Sequence, residues 1–520
     1  MIKKIKNIFK KKKKLEYNIN RKRNFKTIEL MFNSIKKENN FVDQSTWADL
    51  NMNKIYSNID RTLTTPGEQK LYCILREPLY DKEKLEKRGE VISIFDRYND
   101  FRRNIHEQLN RIKRTDDDII YVLKEGLETN FIMKIVYNLS TLFSILSIVS
   151  IFLIPSFRNN AILILGVISS LNMFLHYSAG RKIGDKIETI EYTGNMIKVS
   201  GDLLNLLENR LPNYCEKINK LYKVTRKIGK KSKIITTVEG LDVFADYINI
   251  LFLVKERNYF SIVDQVEKYN KEIIELYNLI GEIDAHVSIS LYRDNLDYYT
   301  IPKFTDEKKV MKSTDMIHPL LENPIPNDVS YEKGGMVLTG SNMSGKSTFL
   351  RTIGVNSILS QTIYTVSAKE YKSSFYRVVS SISLQDNIGE GKSYYFAEAE
   401  AILRMINSAK NKITTLALID EIFKGTNPVE RINAAAEILN YIDKQNAFTI
   451  VATHDLNLIP LIHNYIRYYF MENMTDEGME FDYKLRKGIS PTRNAVKILK
   501  FIGYPKELLE NIDKRLEKIE

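Results

Sequence analysis

Residues 340–347, Gly340-Ser341-Asn342-Met343-Ser344-Gly345-Lys346-Ser347, have the spacing G-x-x-x-x-G-K-[ST]. Such a stretch dictates its own surroundings. Glycines let successive backbone N–H groups converge on phosphate oxygens, and a helix starting at the loop adds the positive end of its dipole. The chemistry therefore needs a strand before the loop and a helix after it. Residues 335–339 are strand-like and residues 348–353 helix-like. Lys346 is expected to reach the β- and γ-phosphates of a nucleotide, and Ser347 to ligate Mg²⁺. Residues 416–419 are apolar and run into Asp420-Glu421, about 75 residues after the loop. Asp420 is expected to support the Mg²⁺ and Glu421 to polarise the attacking water. Residues 448–453 run into His454, placed to hydrogen-bond a γ-phosphate oxygen. Alone, an apolar run ending in two acids is an ordinary strand end, and a single His an ordinary structural one; the shared spacing from the loop gives both weight.

Short apolar runs alternating with helical segments read as α/β from about residue 300 onward. Before that point the pattern is helical over residues 27–130 and 183–300, with few turn formers and no internal repeat. Two uncharged 20-residue stretches lie between these regions, at 135–154 and 161–180. Each makes about 30 Å of helix, the thickness of a bilayer's hydrocarbon core. Residues 155–160 join them with a single charge, Arg158, while Lys134, Arg181, Lys182 and Lys186 flank the pair. A short, weakly charged loop outside and basic flanks inside predict a transmembrane hairpin with both termini cytoplasmic. The alternative is a pair of buried helices in a soluble, cytoplasmic domain.

The chain has 520 residues and a net charge of +12, but the charge is unevenly placed. Residues 1–26 carry twelve Lys or Arg against one acid, Glu16, which leaves the other residues nearly neutral. A broad basic surface over the body is excluded, while the arm suits anionic headgroups or nucleic-acid phosphates. No apolar run follows the lysines, so the arm is not a cleavable signal. Two cysteines, Cys73 and Cys215, cannot build a disulfide framework, and the six histidines include no H-x-x-x-H pair. The expected organisation is a basic arm over residues 1–44, a helical domain over 45–300 that includes the hairpin at 131–182, and an α/β domain over 301–520.

Several segments together resemble one family. Residues 339–351, with Asn342-Met343 inside the loop, resemble the TGPNMGGKST-x-x-R segment of the MutS mismatch-repair ATPases, a branch of the ABC-type ATPases. Residues 420–426 resemble its DEIGRGT, and Thr453-His454 its T-H element. Gly391-Lys392-Ser393 and Phe396-Ala397-Glu398 resemble its G-R-S-T-F-M-V-E segment, with Asp386 as the preceding acid. His318-Pro319, Asn327-Asp328, residues 481–488 and 503–505, and upstream residues 58–67 with Glu77-Pro78-Leu79 and Arg88 extend the match.

The resemblance implies a P-loop ABC-type ATPase domain joined to an all-α core and lever domain that here carries the hairpin. It implies ATP and Mg²⁺ as cofactors. Gly340, Ser341, Asn342, Met343, Ser344, Gly345, Lys346, Ser347 and Thr348 would bind the nucleotide, Ser347 and Asp420 the metal, and Glu421 and His454 would act in hydrolysis. It further implies a homodimer in which Ser393 reaches the nucleotide of the opposite subunit, the other reading of Ser393 being an ordinary helix N-cap. DNA is the implied partner.

Departures from the family pattern are specific. About 45 residues precede the lever-like segment, and they contain no Phe-x-Glu, which counts against mismatch-specific recognition. Pro324 and Ile325 stand near the place of the aromatic that stacks on adenine, Ser381 stands where an Arg is usual, and Asn427-Pro428-Val429-Glu430-Arg431 replaces S-T-x-D-G. The expected function is a MutS-like ATPase coupled to DNA. The alternative is a membrane-anchored mechanical or scaffolding ATPase acting on a membrane partner, with the ATPase domain on the cytoplasmic side of the cell membrane.

Overall fold

The computed structural model describes residues 21–34, 41–116, 118–127, 131–237, 243–331, 334–341, 343–382, 394–423, 427–475, 478–489, 499 and 502–516. The chain packs as two units. One is made mainly of residues 60–73 and 91–291, the other of residues 41–59, 74–90 and those from 292 onward.

The first unit is helical. Its longest element is the 50-residue helix Arg158–Leu207, which pairs with Pro212–Thr237. Pro212 opens the second helix, where its missing N–H is no loss. The pairing is antiparallel and tight because glycines face it. A Cβ at Gly194 would lie 1.8 Å from Ser232 Oγ, and one at Gly201 would lie 2.6 Å from the Tyr222 ring. Elsewhere in the unit a buried carboxylate organises a turn. Asp284, in the helix Asn270–Arg293, accepts hydrogen bonds from Leu63 N (3.0 Å), Thr64 N (2.9 Å) and Thr64 Oγ1 (2.7 Å). Asp60 is also buried. Burial pushes its pKa up, but Arg21, a hydrogen bond from Thr62, and Arg23 outweigh that and hold it below the usual range.

The two apolar stretches form Phe131–Leu153 and the first half of Arg158–Leu207, joined by a 3-10 turn at Pro155–Phe157. Both are long and apolar enough to cross a membrane, and only 28% and 17% of their most apolar windows are buried. A core helix of a soluble domain would be mostly covered. Here Phe152 is 75% exposed and Phe174 70%, with Leu142, Phe143, Leu146, Leu163 and Val167 exposed beside them.

The second unit is α/β. Twelve strands are described: β1 Lys303–Phe304, β2 Met311–Met316, β3 Asn327–Tyr331, β4 Gly335–Thr339, β5 Glu370–Ser373, β6 Tyr376–Ser381, β7 Thr414–Asp420, β8 Ala447–Ala452, β9 Tyr465–Tyr469, β10 Glu472–Thr475, β11 Gly478–Phe481 and β12 Arg486–Lys487. The main sheet has the order β12-β9-β4-β8-β7-β6 and is parallel except for β12. A parallel sheet covered on both faces wants continuous apolar strands, and β4, β7 and β8 are buried almost throughout. Val337, Ala417, Ile419 and Val451 meet Met405 and Leu439 from the helices Tyr394–Ala409 and Pro428–Asp443 in one core. The second sheet, β1-β5-β2-β3, is largely antiparallel.

The helix Lys346–Thr362 is buried along nearly its whole length although its second half is polar. Its side chains satisfy backbone groups around it. Asn356 donates to Ile317 O and accepts from Ser367 N, while Gln361 donates to Tyr376 O and accepts from Tyr376 N. The short helix Gln44–Asp49 lies in the same unit. Asp49 accepts from Ser380 Oγ (2.7 Å) and Ile382 N (3.0 Å), and its carbonyl accepts from Arg351 Nε (2.9 Å).

Candidate functional site

The site forms where β4, β7 and β8 end on the same edge of the main sheet, the edge at which parallel α/β sheets bind ligands. Two cross-links align the ends. Thr453 N donates to Leu338 O, and Glu421 N donates to Ala452 O, each at 2.9 Å. The loop leaving β4 turns sharply into the helix Lys346–Thr362. Gly340 (φ +142°) and Gly345 (φ +108°) have backbone angles that L side chains rarely adopt, and a Cβ at Gly340 would come within 2.8 Å of Phe470 O. Met343 (φ 70°) takes the left-handed region without being glycine, with its side chain 83% exposed.

Lys346 is buried and donates through Nζ to Gly340 O (2.7 Å) and Ser341 O (2.8 Å), so the ammonium lies over the loop. Ser347 Oγ donates to Asp420 Oδ2 at 2.5 Å. This brings together a hydroxyl from the first helical turn and a carboxylate from the end of β7, two hard oxygen donors of the kind Mg²⁺ takes beside nucleotide phosphates. The hydroxyl oxygens of Ser341 and Ser344 are buried without a hydrogen-bond partner among the described residues. Buried polar atoms are normally paired, so two unpaired hydroxyls beside the Lys346 ammonium fit an anionic ligand.

Glu421 also has a positive φ (65°), a strained position for a non-glycine residue and of a kind that clusters at functional sites. Its Oε1 lies 2.7 Å from His454 Nδ1. Asp455, next to His454, pairs with Arg431 at 3.0 Å. Glu421 is mostly covered, while half of the His454 side chain faces solvent.

A pocket of about 550 Å³ opens against the loop, within the range of small-molecule sites. Ser341, Met343, Gly345, Lys346, Ser347, Thr348, Asp420 and Glu421 line it. Met316, His318, Leu321, Ile325, Phe470 and Tyr483 also line it. Of the residues singled out from the sequence, Gly340 adjoins this group through its carbonyl, and His454 adjoins it through Glu421. Asn342 and Ser393 lie outside the described residues, as do Asp386, Gly391, Lys392, residues 424–426 and the arm up to residue 20.

Sequence reasoning did not assign Tyr483 or His318 to the site. Tyr483 Cδ1 is 3.2 Å from where a Cβ of Gly345 would stand. Its carbonyl accepts from Asn327 Nδ2 (3.0 Å), and Asn327 Oδ1 in turn accepts from Leu485 N (2.8 Å). This exchange pins an aromatic ring beside the loop although 156 residues separate the partners. The N-D and F-D-Y-K-L segments were visible, but their adjacency was not. His318 is buried, and burial together with Arg351 pushes its pKa down to about 4. Its Nδ1 accepts from Leu320 N (3.2 Å), as a neutral ring can.

A family model described as MutS domain V matches residues 336–520. The DNA mismatch repair protein MutS of Petrotoga mobilis is 26% identical over 95% of this chain and 66% of its own length. The protein of the same name from Fervidobacterium nodosum is 24% identical over 88% of this chain and 60% of its own. The human MutS protein homolog 4 is 28% identical over 58% of this chain and 33% of its own. The chain thus spans less than two thirds of each relative's length. The match is not confined to the pocket but runs through the helical unit as well: the chain is similar to MutS proteins over most of its length and matches MutS domain V over residues 336–520.

Proposed function

We propose that this chain is a Mg²⁺-dependent ATPase that works as a dimer and is held at a membrane by its hairpin. The observation carrying the ATPase reading is the gathering of Lys346, Ser347, Asp420 and Glu421 around one pocket. The loop N–H groups and Lys346 bind the β- and γ-phosphates. Ser347 and Asp420 hold Mg²⁺, which when bound neutralises charge on the phosphate oxygens. Glu421 orients the attacking water and draws on its proton. His454 fixes the Glu421 carboxylate from one side and is close enough to the chain of strand ends to meet a γ-phosphate oxygen. Tyr483 offers its ring to the base. Ser393, by family resemblance, completes the site of the opposite subunit.

Glu421→Gln keeps the shape of the site but removes the carboxylate. The expected result is ATP binding as in the native chain with turnover lowered by roughly 10²–10⁴-fold, the usual effect of losing a positioned acid–base group. Unchanged turnover would overturn the assignment.

For what the helical unit engages, the exposed apolar surface favours a bilayer. A contiguous patch on this scale on a soluble monomer would be an aggregation liability. Carbonate extraction of the full chain beside a version lacking residues 131–182 tests this: resistance in the first and solubility in the second are expected. A soluble full chain would refute the anchor. DNA is the second reading, favoured by relatives named as DNA mismatch repair proteins. Its test is the salt dependence of DNA binding by the full chain in detergent. A steep slope would support it, since phosphate contacts release counterions, and absence of binding at low salt would remove it.

A further inference from the structure

The helical unit contains a short helix, Val243–Phe252, that stops against the hairpin. Ten residues make about 15 Å, half a hydrocarbon core. Leu253 then takes a left-handed conformation (φ 48°, ψ 44°) and the helix Val254–Lys268 begins. That second helix runs down the hairpin towards its base. Arg257 Nε donates to Asn138 Oδ1 (2.9 Å), Phe260 meets Tyr137, and Asp264 pairs with Lys134.

The break is sealed by side chains of both hairpin helices. Leu251 O accepts from Asn172 Nδ2 (2.7 Å) and Ser144 Oγ (3.1 Å). Phe252 O accepts from Thr141 Oγ1 (2.8 Å). Asn249 Oδ1 accepts from Lys255 N, an early N–H of the next helix, at 2.8 Å. Asn172 and Ser144 are fully buried, and the Ser140 hydroxyl donates to Asn172 Oδ1. In water a helix end needs no such provision, because water satisfies the last carbonyls. In hydrocarbon every orphan group must find a protein partner. Asn172 stands nine residues before Arg181 and Ser144 ten after Lys134, so the break lies about 13–15 Å above the basic flanks. The outer side of the short helix is nonetheless open and apolar, with Tyr247 68% and Ile248 41% exposed. The hairpin likewise exposes Leu142, Phe143 and Met173.

We propose that Val243–Phe252 is a third membrane-inserted segment, a re-entrant half-helix embedded in the leaflet nearer Lys134 and covered on its outer side by acyl chains. This rests on the hairpin spanning a bilayer. The short helix enters one leaflet, ends at the Ser140–Ser144–Asn172 cluster, and the chain leaves on the same side. Tyr247 sits at the depth where an aromatic with a polar tip is favoured.

The test uses the full chain reconstituted in phosphatidylcholine vesicles carrying doxyl groups at shallow or deep acyl positions. The chain has one tryptophan, and Trp47 is buried, so its emission is a constant background. Indoles are introduced singly as Tyr247→Trp, Ile248→Trp, Phe143→Trp on the hairpin and Tyr441→Trp in the α/β unit. The expected result is loss of the added emission for the first three, none for Tyr441→Trp, and stronger quenching of Tyr247→Trp by the shallow label. Quenching of Phe143→Trp with none of Tyr247→Trp or Ile248→Trp would overturn the re-entrant segment and leave the hairpin standing. No quenching at any of these positions would overturn the membrane reading itself. Adding Asn172→Leu should abolish quenching of Tyr247→Trp while Phe143→Trp stays quenched; unchanged quenching at Tyr247 would show that the polar cluster does not hold the segment in place.

Discussion

Removing the Tyr483 ring should separate base binding from phosphate binding. The ring lines the pocket beside Gly345, while its backbone carbonyl is held by Asn327. Tyr483→Ala therefore deletes the stacking face and leaves the loop-to-loop hydrogen bonds in place. Stacking of a base on an aromatic is worth about 1–3 kcal/mol by alanine substitution. The ring is 44% exposed, so only part of its surface is pre-set towards the pocket and the lower half of that range applies. About 1–2 kcal/mol corresponds to a roughly 5- to 30-fold rise in Kd for ATP. Left-handed backbone at Tyr483 (φ 53°) adds little, because alanine meets the same restriction. The assay is calorimetric titration of the full chain with a slowly hydrolysed ATP analogue and, in parallel, with tripolyphosphate. Analogue affinity should fall by that factor, tripolyphosphate affinity should hold, and Tyr483→Phe should bind like the native chain. Equal loss for both ligands, or no loss for the nucleotide, would refute the reasoning.

Other outcomes follow from contacts already described. Ser347→Ala takes away the hydroxyl facing Asp420, and the Mg²⁺ concentration for half-maximal turnover should rise about tenfold or more, read from a metal titration of hydrolysis. Asp284→Ala leaves Leu63 N, Thr64 N and Thr64 Oγ1 without their buried acceptor; a loss of about 3–5 kcal/mol is expected in denaturant unfolding, and one below about 1 kcal/mol would show that the turn is held by other means. His318 is lowered to about 4 by burial and Arg351 against an ordinary value of 6.5. Between those values the unfolded chain binds more protons, so stability is fully present above about pH 6.5 and is lost as pH falls towards 4. His106, also lowered to about 4 by burial and Arg102, acts with the same sign. Thermal melts should show His318→Gln losing less stability than the native chain over that window.

The strand, loop and helix over residues 335–362 were legible because their geometry is local. A strand, two glycines at a fixed spacing and a helix start specify one another within a dozen residues, and the Asp420 and Glu421 run could be joined to it through strand patterning. The rest of the pocket lining was not legible. Tyr483 reaches Gly345 only through a hydrogen bond to Asn327 across 156 residues, and nothing in its own neighbourhood marks it. Likewise Leu50 lies against Gly354, whose missing Cβ makes the room, a pairing that no spacing rule anticipates. In the helical unit the long apolar stretches announced themselves, but the break at Leu253 did not. No glycine or proline stands there, and the two residues before the left-handed Leu253 are held by hydrogen bonds from both hairpin helices, while Asn249 accepts from Lys255 N across it. Local propensity is silent where tertiary contacts make the turn.

The helix Arg158–Leu207 also has a mechanical meaning. Fifty residues of unbroken helix form a strut of about 75 Å, apolar at one end and, through Gly194 and Gly201, locked to a second helix at the other. Such a strut has no joint at which motion could dissipate. With the apolar end in lipid, as proposed above, a tilt of about 10° there would displace the far end by about 13 Å, the scale of a whole helix diameter. Bilayer thickness, curvature or lateral tension would then be felt as leverage inside the helical unit, and conversely a rearrangement there would be felt as torque on the lipid.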